Sequence, residues 1–405
     1  MTYEETLAYL YAQLPMFQRI GKAAYKADLN NTHALMGILG HPERGLKCVH
    51  VAGTNGKGST SHMIASVLQE AGLKTGLHTS PHLKDMRERF KIDGAMISQE
   101  AVVTFVQEYR DRFEPVKASF FEWGVALALR WFRQEKVDIA VMETGMGGRL
   151  DSTNVVTPEV AVITNIGWDH ADLLGDTLMK IAGEKAGIIK RGIPVVIGEA
   201  GGEVAEVFTR KAEAVQAPLI FVDQTSPLPY SIGLVGAHQE RNARTAITAI
   251  RELQRKGWPI TEAHIRTGLV KVVANTGLLG RWQKLNDDPP TYADVAHNVD
   301  GIRQVRRMLE QFPHAHLHIV LGTVNDKDLR RVLAELPTNA VYYFCKADIP
   351  RGLDADLLRT QAGEAGLQGS TYRTVREAYD TARLKAGESD LILVTGSVFV
   401  VAEVI

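Results

Sequence analysis

The sequence has few cysteines and almost no net charge. Only Cys48 and Cys345 occur among its 405 residues, and no CxxC pair is present. This excludes a disulfide framework and a cysteine-based zinc site, so we expect two reduced, buried thiols. The formal net charge is -1. Because no strong positive field is available to attract a polyanion, we expect no nucleic-acid partner.

The sequence also lacks an apolar run long enough to span a membrane. The tract LILVTGSVFVVAEVI, residues 391–405, is interrupted by Thr395, Gly396 and Ser397. It falls short of the roughly 20 apolar residues that a spanning helix needs. The segment MTYEETLAYL carries acidic residues where a signal peptide would carry lysine or arginine. We therefore expect a cytoplasmic protein without a membrane partner.

Strand-like and helix-like segments alternate along most of the chain. Short apolar, β-branched runs are typical of parallel strands covered on both faces; they are KCVHVAG, VDIAVME, EVAVITNI, PVVIG, PLIFV, TYADVAH, LHIVLG, AVYYFC and LILVTG. Amphipathic segments lie between them, such as GSTSHMIASVLQEAG, SQEAVVTFVQEYRDRF, SFFEWGVALALRWFRQEK and TVREAYDTARLKAGE. Ser119 and Glu122 form a potential capping box, and Gly72 occupies a helix C-terminal position. The alternation predicts an α/β protein with a mostly parallel, doubly wound sheet.

The chain is longer than a single hydrophobic core usually supports, so we expect two domains. The polar stretch QKLNDDPPT, residues 283–291, is the best candidate for a linker. A new strand–helix alternation begins after it, at TYADVAH. The sequence therefore predicts a first domain at residues 1–285 and a smaller one at residues 286–405.

The glycine-rich stretch HVAGTNGKGSTSH, residues 50–62, connects a predicted strand to a predicted helix. In such a turn, backbone N–H groups and the positive end of the helix bind anions. Lys57 could reach the terminal phosphates of a nucleotide, and Gly53, Gly56 and Gly58 would allow close approach of the backbone. The common pattern places a hydroxyl residue directly after the lysine, whereas Gly58 stands there. A glycine-rich turn with a solvated lysine is the alternative interpretation, and the metal ligand is left open.

Six further motifs follow this loop in order: TSPHL (79–83), GMGGRLDSTN (145–154), WDHADLLG (168–175), GEKAGIIK (183–190), GRWQ (280–283) and DVAHN (294–298). Together with GTNGKGS they resemble the folylpolyglutamate synthase/dihydrofolate synthase family of the Mur-ligase superfamily, over nearly the whole chain. The resemblance implies an ATP-dependent ligase of folate biosynthesis and one-carbon metabolism. Such a ligase adds L-glutamate to a folate or dihydropteroate carboxylate through an acyl phosphate. It also implies a P-loop ATPase domain, a smaller Rossmann-like domain and a monomer.

For ATP, the resemblance implies contacts from the loop and from residues farther along the chain. The loop residues are Asn55, Gly56, Lys57, Gly58, Ser59 and Thr60, and the others are Asn242, Arg281, Asp294 and His297. Lys57 would also act in catalysis by neutralising phosphate charge. One departure concerns DVAHN, where Val295 and Val299 replace the glycine and proline that the family usually has.

For the metal, the resemblance implies Mg²⁺ ligands from Ser80, Glu143 and His170, and two Mg²⁺ sites. His170 and Lys185 would be catalytic, with Lys185 carbamylated by CO₂. From the residues alone, a solvated carboxylate at a strand end is the alternative interpretation of Glu143. His170 is likewise compatible with a hydrogen-bonded loop histidine, and Lys185 with a helix lysine paired with Glu184.

For the pterin substrate, the resemblance points to two segments, SFFE and LDS; the residues concerned are Phe121, Glu122, Asp151 and Ser152. Phe121 could stack on a flat heterocycle, and Asp151 could accept hydrogen bonds from pterin N–H groups. A capped helix that packs its aromatic side chains in the core is the competing interpretation of SFFE.

Two other functions are compatible with parts of the pattern. Another Mur-type ligase acting on a cell-wall nucleotide precursor would share the ATP loop and the lysine motif, but SPHL, GGRLDSTN and DVAHN favour the folate branch. A non-catalytic ATP-binding relative would be expected to lack one of Lys57, Ser80, Glu143, His170 and Lys185, and all are present. The sequence does not decide between dihydrofolate synthase, folylpolyglutamate synthase and a bifunctional enzyme.

Overall fold

The computed structural model describes residues 1–16, 27–325 and 329–405. The chain divides into two compact units, with Leu278 in the first and Leu279 in the second. The predicted linker at residues 283–291 is wrong, because Gln283–Asp287 and Pro290–Ala293 pair as antiparallel strands. The polar, proline-containing composition of this stretch is that of a hairpin at a sheet edge, where proline is tolerated.

The first unit contains a sheet of eight strands within the described residues, in the order β4-β3-β2-β5-β1-β6-β7-β8. The strands are β1 Cys48–Ala52, β2 Thr75–His78, β3 Phe90–Ile92, β4 Ala95–Met96, β5 Ile139–Glu143, β6 Val160–Ile163, β7 Val195–Ile197 and β8 Leu219–Phe221. Neighbouring strands are parallel along the part of the sheet ordered β2-β5-β1-β6-β7-β8. Strand β3 pairs antiparallel with both β2 and β4. The predicted strands of this unit are confirmed, whereas β3 and β4 are too short to give a sequence signal.

Helices cover this sheet on both faces. Those of the first unit are α1 Tyr3–Gln13, α2 Asn30–Ile38, α3 Lys57–Glu70, α4 Gln99–Phe113, α5 Phe120–Gln134, α6 Ala171–Leu174, α7 Leu178–Lys185, α8 Gly202–Ala214, α9 Ala237–Arg255, α10 Glu262–Val270 and α11 Val272–Thr276. Alternate side chains of β5 point to opposite faces. Ala140 and Met142 pack with α1, α2, α4 and α5, whereas Ile139 and Val141 pack with α3, α9 and α10. This two-sided burial explains why the strands are continuously apolar.

Two local predictions about helix ends are confirmed. Ser119 Oγ accepts a hydrogen bond from the Glu122 N–H, and the Glu122 carboxylate accepts one from the Ser119 N–H, which is the expected capping box at α5. Gly72 has φ +75° directly after α3, where only glycine is unstrained.

The second unit contains a sheet of six strands in its described part, in the order β13-β12-β11-β14-β10-β9. The strands are β9 Gln283–Asp287, β10 Pro290–Ala293, β11 Leu317–Leu321, β12 Val341–Phe344, β13 Gln368–Thr371 and β14 Leu391–Thr395. All neighbours are parallel except β9 with β10. Its helices are α12 Val299–Leu309, α13 Leu329–Leu333, α14 Ala355–Glu364, α15 Val375–Lys385 and α16 Val398–Ala402.

The predicted α/β class, with mostly parallel sheets, is confirmed. Both expected free cysteines are buried, and burial raises the pKa of the Cys48 thiol to about 12. Across the residues that the structure describes, none of the helices has the length and apolar content needed to cross a membrane.

Candidate functional site

Four adjacent strands of the first unit, β2, β5, β1 and β6, end at the same edge of the sheet. The loop after β1 is the glycine-rich turn, and β5 ends on Glu143. The chain leaves β2 toward Ser80 and leaves β6 toward Asn165. The carboxyl ends of parallel strands are where open α/β sheets bind ligands. The predicted nucleotide and metal residues of this unit therefore cluster at one edge.

The glycine-rich turn has a backbone that only glycine accommodates at two positions. Gly53 has φ +150°, and a β-carbon there would lie 1.8 Å from the Thr164 hydroxyl oxygen. Gly56 has φ +80°, and a β-carbon there would lie 2.2 Å from Asn242 Oδ1. Asn242, predicted from the motif RNARTAI, thus lies directly against the loop.

The segment after β6 holds the turn in place. The Thr54 N–H donates to the Asn165 carbonyl at 3.0 Å, and the Asn55 N–H donates to Asn165 Oδ1 at 2.9 Å. The Thr164 hydroxyl donates to the Asn55 carbonyl at 2.6 Å. The motif analysis missed Thr164 and Asn165. Their position directly after an apolar strand is the sequence signal that could have identified them.

The end of the turn presents groups suited to an anion. Helix α3 begins at Lys57, and its first N–H groups and positive end face the turn. Lys57 Nζ donates to the carbonyls of Gly53 and Thr54, both at 3.0 Å. Ser59 and Thr60 are buried, and no hydrogen-bond partner for Thr60 Oγ1 is found among the described residues. This cradle, with a lysine and a spare hydroxyl, fits the phosphates of a nucleotide.

Lys185 meets Lys57 at the same carbonyl group. Its Nζ donates to the Gly53 carbonyl at 2.9 Å, and its side chain is buried. Burial, and next the positive charge of Lys57, lower the pKa of Lys185 to about 7, although Asp169 and Asp151 act in the opposite direction. Lys185 is therefore no solvated helix lysine, and a substantial fraction of it is a neutral amine at neutral pH.

Ser80 and Glu143 are brought together by the pairing of β2 with β5. The Ser80 N–H donates to Glu143 Oε2 at 3.2 Å, and Glu143 is 3% exposed. A buried carboxylate beside a hydroxyl residue has the oxygen donors that Mg²⁺ prefers. No cluster of three or more His, Cys, Asp or Glu side chains suited to a metal occurs within the described residues. The predicted ligand set of Ser80, Glu143 and His170 contains only two side chains of these four types, so it would not form such a cluster.

His170 lies in the loop that follows Asn165. It has φ +50° and immediately precedes α6, and its Nε2 is 3.8 Å from Asp169 Oδ1. The charge of Asp169 acts on Lys185. This loop is also tied to the phosphate turn, since the Gly167 N–H donates to Thr54 Oγ1 at 3.0 Å.

Two of the sequence motifs, 145–154 and 183–190, are packed against each other. Arg149 binds the Glu184 carboxylate at 2.8 Å, and its N–H donates to the Glu184 carbonyl at 2.7 Å. Lys190 Nζ donates to the Asn154 carbonyl at 2.9 Å. A β-carbon on Gly187 would lie 2.2 Å from the Arg149 Cα. These contacts set the position of Lys185 relative to the loop that contains Asp151.

Asp151 is buried and organises its own loop. Its Oδ2 accepts the Met146 N–H at 2.9 Å, and its Oδ1 accepts both the N–H and the hydroxyl of Thr153. Burial raises the pKa of Asp151, although these hydrogen bonds oppose the shift. Ser152, also buried, begins a short 3₁₀ turn for which Asp151 is the N-cap. Any contact of Asp151 with a substrate would use the remaining lone pairs of oxygens that already hold the loop.

In the SFFE segment, Glu122 has a structural role, whereas Phe121 is partly exposed and could contact a ligand. Glu122 is buried, and its carboxylate caps α5 and lies 3.4 Å from Asn31 Nδ2. Phe120 is buried in the core, as the competing interpretation of the segment expected. Phe121 is only half-buried, and a β-carbon on Gly145 would lie 2.6 Å from its ring. Its ring thus lies close against the 145–154 loop.

In the second unit, Asp294 follows β10 and fixes the turn there. Its Oδ2 accepts the Trp282 N–H and its Oδ1 accepts the Ala296 N–H, both at 2.9 Å. His297 Nδ1 lies 2.9 Å from the Val295 carbonyl, and Arg281 Nη1 lies 3.3 Å from the Gly280 carbonyl. Val295 does not adopt a positive φ. The β-carbon that replaces the family glycine is therefore tolerated without backbone strain.

The chain is similar to known proteins along nearly its whole length. Residues 51–226 match a family model described as the Mur ligase middle domain, and residues 280–398 match one described as Mur ligase, glutamate ligase domain. The dihydrofolate synthase/folylpolyglutamate synthase of Bacillus subtilis is 33% identical, over 99% of this chain and 98% of that relative. A probable bifunctional folylpolyglutamate synthase/dihydropteroate synthase of Haloferax volcanii is 35% identical over 100% of this chain, which spans 50% of that relative's length.

Solved structures are similar over the same extent. Escherichia coli FolC in complex with DHPP and ADP has a TM-score of 0.87 at 29% identity, covering 100% of this chain and 97% of that one. A bifunctional folylpolyglutamate synthase/dihydrofolate synthase with Mn, AMPPNP and L-glutamate bound has a TM-score of 0.83 at 29% identity, with 100% and 97% covered. Both units of this chain therefore have counterparts in these structures.

Proposed function

The chain belongs to the folylpolyglutamate synthase/dihydrofolate synthase family, and from this premise we propose that it joins L-glutamate to a folate or dihydropteroate carboxylate at the expense of ATP. The observation that carries the proposal is the meeting of Lys57 and Lys185 at the Gly53 carbonyl, beside an anion-binding turn. The protonated forms of these two amines repel each other at one carbonyl, and a bound polyphosphate would relieve that repulsion.

The reaction requires activation of a carboxylate. An amine does not displace oxygen from a carboxylate, because the group is anionic and its oxygen leaves poorly. In the proposed course, a carboxylate oxygen of the folate attacks the γ-phosphorus of ATP, and ADP leaves. The amino group of L-glutamate then attacks the acyl phosphate, and inorganic phosphate leaves as the amide forms. The protein contributes mainly positioning and charge neutralisation.

The glycine-rich turn would hold the ATP phosphates. The N–H groups at the start of α3 point at the anion, and Lys57 would balance charge on the transferring phosphoryl group. Asn242, in contact with Gly56, would lie beside the nucleotide. In the second unit, Arg281, Asp294 and His297 are the residues that we propose for the rest of the nucleotide.

Ser80, Glu143 and His170 are the proposed metal ligands, with two Mg²⁺ ions expected. Mg²⁺ bound to phosphate oxygens neutralises charge that develops during phosphoryl transfer. Glu143 would supply a carboxylate oxygen and Ser80 a hydroxyl oxygen from adjacent strand ends. His170 would complete the set from the loop after β6.

Lys185 is proposed to react with CO₂ to form a carbamate. Only the neutral amine is nucleophilic, and the pKa of Lys185, lowered to about 7, makes that form abundant at neutral pH. The carbamate would turn a cation beside Lys57 into an anion, which would favour a nearby metal ion. Carbamylation would therefore remove the repulsion by Lys57 that, after burial, lowers the pKa of Lys185.

The pterin end of the substrate is proposed to lie against the 145–154 loop. Phe121, half-buried next to Gly145, would stack on the heterocycle, and Asp151 and Ser152 would line its edge. Glu122, whose carboxylate caps α5, would act here by fixing the helix that carries Phe121.

The test is product formation by purified protein with MgATP, L-glutamate and either dihydropteroate or tetrahydrofolate, with product masses recorded. One added glutamyl residue on dihydropteroate alone would assign a dihydrofolate synthase, and on tetrahydrofolate alone a folylpolyglutamate synthase. Addition to both would assign a bifunctional enzyme. Addition to neither, by protein that still binds ATP, would refute the proposed substrate.

The setting of the enzyme is part of the same proposal. The near-zero net charge and the family resemblance support a cytoplasmic monomer that acts on small molecules rather than on nucleic acid or membranes. Light scattering coupled to size-exclusion chromatography would test the monomer, and a dimeric mass at assay concentrations would contradict it.

A further inference from the structure

Arg89 is a buried cation between the proposed metal and substrate segments. Its guanidinium lies over the Phe120 ring, 5.4 Å from the centroid, and its charge acts on Glu143. Its backbone carbonyl accepts the Thr79 N–H at 3.3 Å and lies 3.0 Å from His78 Nδ1. Arg89 therefore joins the TSPHL loop to both proposed sites, although the motif analysis gave it no role.

His82, in the same loop, is oriented by Arg89. Arg89 Nε donates to His82 Nδ1 at 2.8 Å. Because a guanidinium nitrogen only donates, Nδ1 must be the unprotonated acceptor, and the ring proton of the neutral imidazole lies on Nε2. His82 is half-buried, and the described residues provide no acceptor for that Nε2–H. The loop thus holds a hydrogen-bond donor of fixed tautomer and orientation.

We propose that His82 Nε2–H donates a hydrogen bond to the carboxylate of the folate or dihydropteroate substrate, with Arg89 as its positioning residue. The inference rests on the proposed function. That carboxylate must reach the metal end of the site while the pterin lies near Phe121. His82 follows Ser80 by two residues and is linked through Arg89 to Phe120, which neighbours Phe121.

The proposal predicts an effect on substrate binding rather than on phosphoryl transfer. A donor aimed at the substrate carboxylate binds its anionic ground state. It also binds the transition state in which a carboxylate oxygen attacks the γ-phosphorus of ATP. Loss of such uniform binding raises KM and leaves kcat nearly unchanged. A hydrogen bond to a charged group corresponds to about tenfold or more in binding.

Two amide variants separate this role from a structural one. The side-chain amide of glutamine reaches the position of Nε2 and keeps an N–H donor for the ligand. The amide of asparagine is one carbon shorter and keeps only an acceptor near Nδ1 for Arg89. If His82 donates to the substrate, His82→Gln should retain binding of the folate acid and His82→Asn should lose it. If His82 serves only as a structural partner of Arg89, the reverse is expected.

The experiment measures KM for the folate acid, for MgATP and for L-glutamate in wild type, His82→Gln, His82→Asn and His82→Phe. We expect KM for the acid to rise about tenfold or more in the Asn and Phe variants and less than about threefold in the Gln variant. KM for the other two substrates should stay within about twofold. His314→Phe, in the loop three residues before β11 in the second unit, is the matched control and should not change KM for the acid.

Three results would overturn the assignment: unchanged KM in all His82 variants, retention in His82→Asn with loss in His82→Gln, or a rise in KM for L-glutamate instead of the acid. Thermal unfolding of each variant identifies any that fail to fold, and the Gln–Asn comparison decides the matter without His82→Phe. If wild type glutamylates neither acid, the proposed function fails. If wild type is active and the variants behave as wild type, only the His82 inference fails.

The role of Arg89 is also tested by measuring KM for the folate acid. Arg89→Lys keeps a basic side chain but removes the Nε donor that orients His82. If Arg89 acts through His82, the double variant Arg89→Lys/His82→Phe should raise KM for the acid no more than His82→Phe alone. Independent, multiplying effects would contradict a positioning role.

Discussion

Replacement of Lys185 by methionine should abolish activity and yet stabilise the folded protein. The side chain is buried, and its pKa falls from 10.5 to about 7, first because of burial and next because of Lys57. This difference corresponds to about 5 kcal/mol of unfavourable free energy for the charged amine in the folded chain. Methionine is unbranched, of similar length and uncharged. It loses only the hydrogen bond to Gly53, which contributes about 1 kcal/mol.

The stabilisation should depend on pH in a definite direction. Below pH 7 the amine is protonated in both the folded and the unfolded chain, so the full cost of burying the charge is present. Between pH 7 and 10.5 only the unfolded chain binds the proton, so the stability of wild type rises with pH. The advantage of Lys185→Met should therefore be greatest near pH 6. We expect it to shrink by at least about 2 kcal/mol by about pH 9.5.

The assay is urea unfolding followed by tryptophan fluorescence, in buffer free of CO₂ and of metal ions. Lys180→Met is the matched control on the same helix. Lys180 is 63% exposed and pairs with Asp176 at 2.7 Å, so its replacement should change stability by less than about 0.5 kcal/mol at either pH. If the difference in free energy of unfolding between wild type and Lys185→Met does not vary with pH, the electrostatic account of Lys185 is refuted.

Three further predictions concern the first unit. Gly56→Ala should abolish measurable ATP binding, because the new β-carbon would lie 2.2 Å from Asn242 Oδ1 at φ +80°; titration calorimetry showing unchanged affinity would contradict the cradle. Glu143→Gln should raise the Mg²⁺ concentration for half-maximal activity about tenfold or more, while metal-free ATP binding stays near wild type; an unchanged Mg²⁺ dependence would remove Glu143 from the ligand set. Thr153→Val should lower stability by about 1–3 kcal/mol, because the buried hydroxyl donates to Asp151; an unchanged thermal midpoint would show that this hydrogen bond does not support the loop.

The sequence predicted the architecture well where one physical signal dominated. Parallel strands buried on both faces have to be continuously apolar, and β1, β5, β6 and β14 were identified for that reason. The capping box of Ser119 and Glu122 has a fixed spacing, and the structure contains it. The stretch 283–291 misled because polar and proline residues are equally typical of a linker and of an edge hairpin.

The site was only partly visible in the sequence. The glycine-rich turn was identified from its place between an apolar strand and a helix, and positive φ with close approach restricts Gly53 and Gly56 to glycine. The pKa of Lys185 is lowered by burial and by the charge of Lys57. The two lysines are distant in sequence and meet only after folding. Arg89 and His82 were missed for the same reason, since their hydrogen bond has no pattern in a single sequence.

Transfer of labelled oxygen tests the central claim most directly. Dihydropteroate or tetrahydrofolate carrying ¹⁸O in the reacting carboxylate would be incubated with the protein, MgATP and L-glutamate, and the released phosphate analysed by mass spectrometry. The account predicts one ¹⁸O atom in each phosphate released per glutamyl residue added, because the acyl oxygen leaves with the phosphoryl group. Glutamylated product with unlabelled phosphate would contradict activation through an acyl phosphate, and absence of product with either acid would contradict the assignment as a folate ligase.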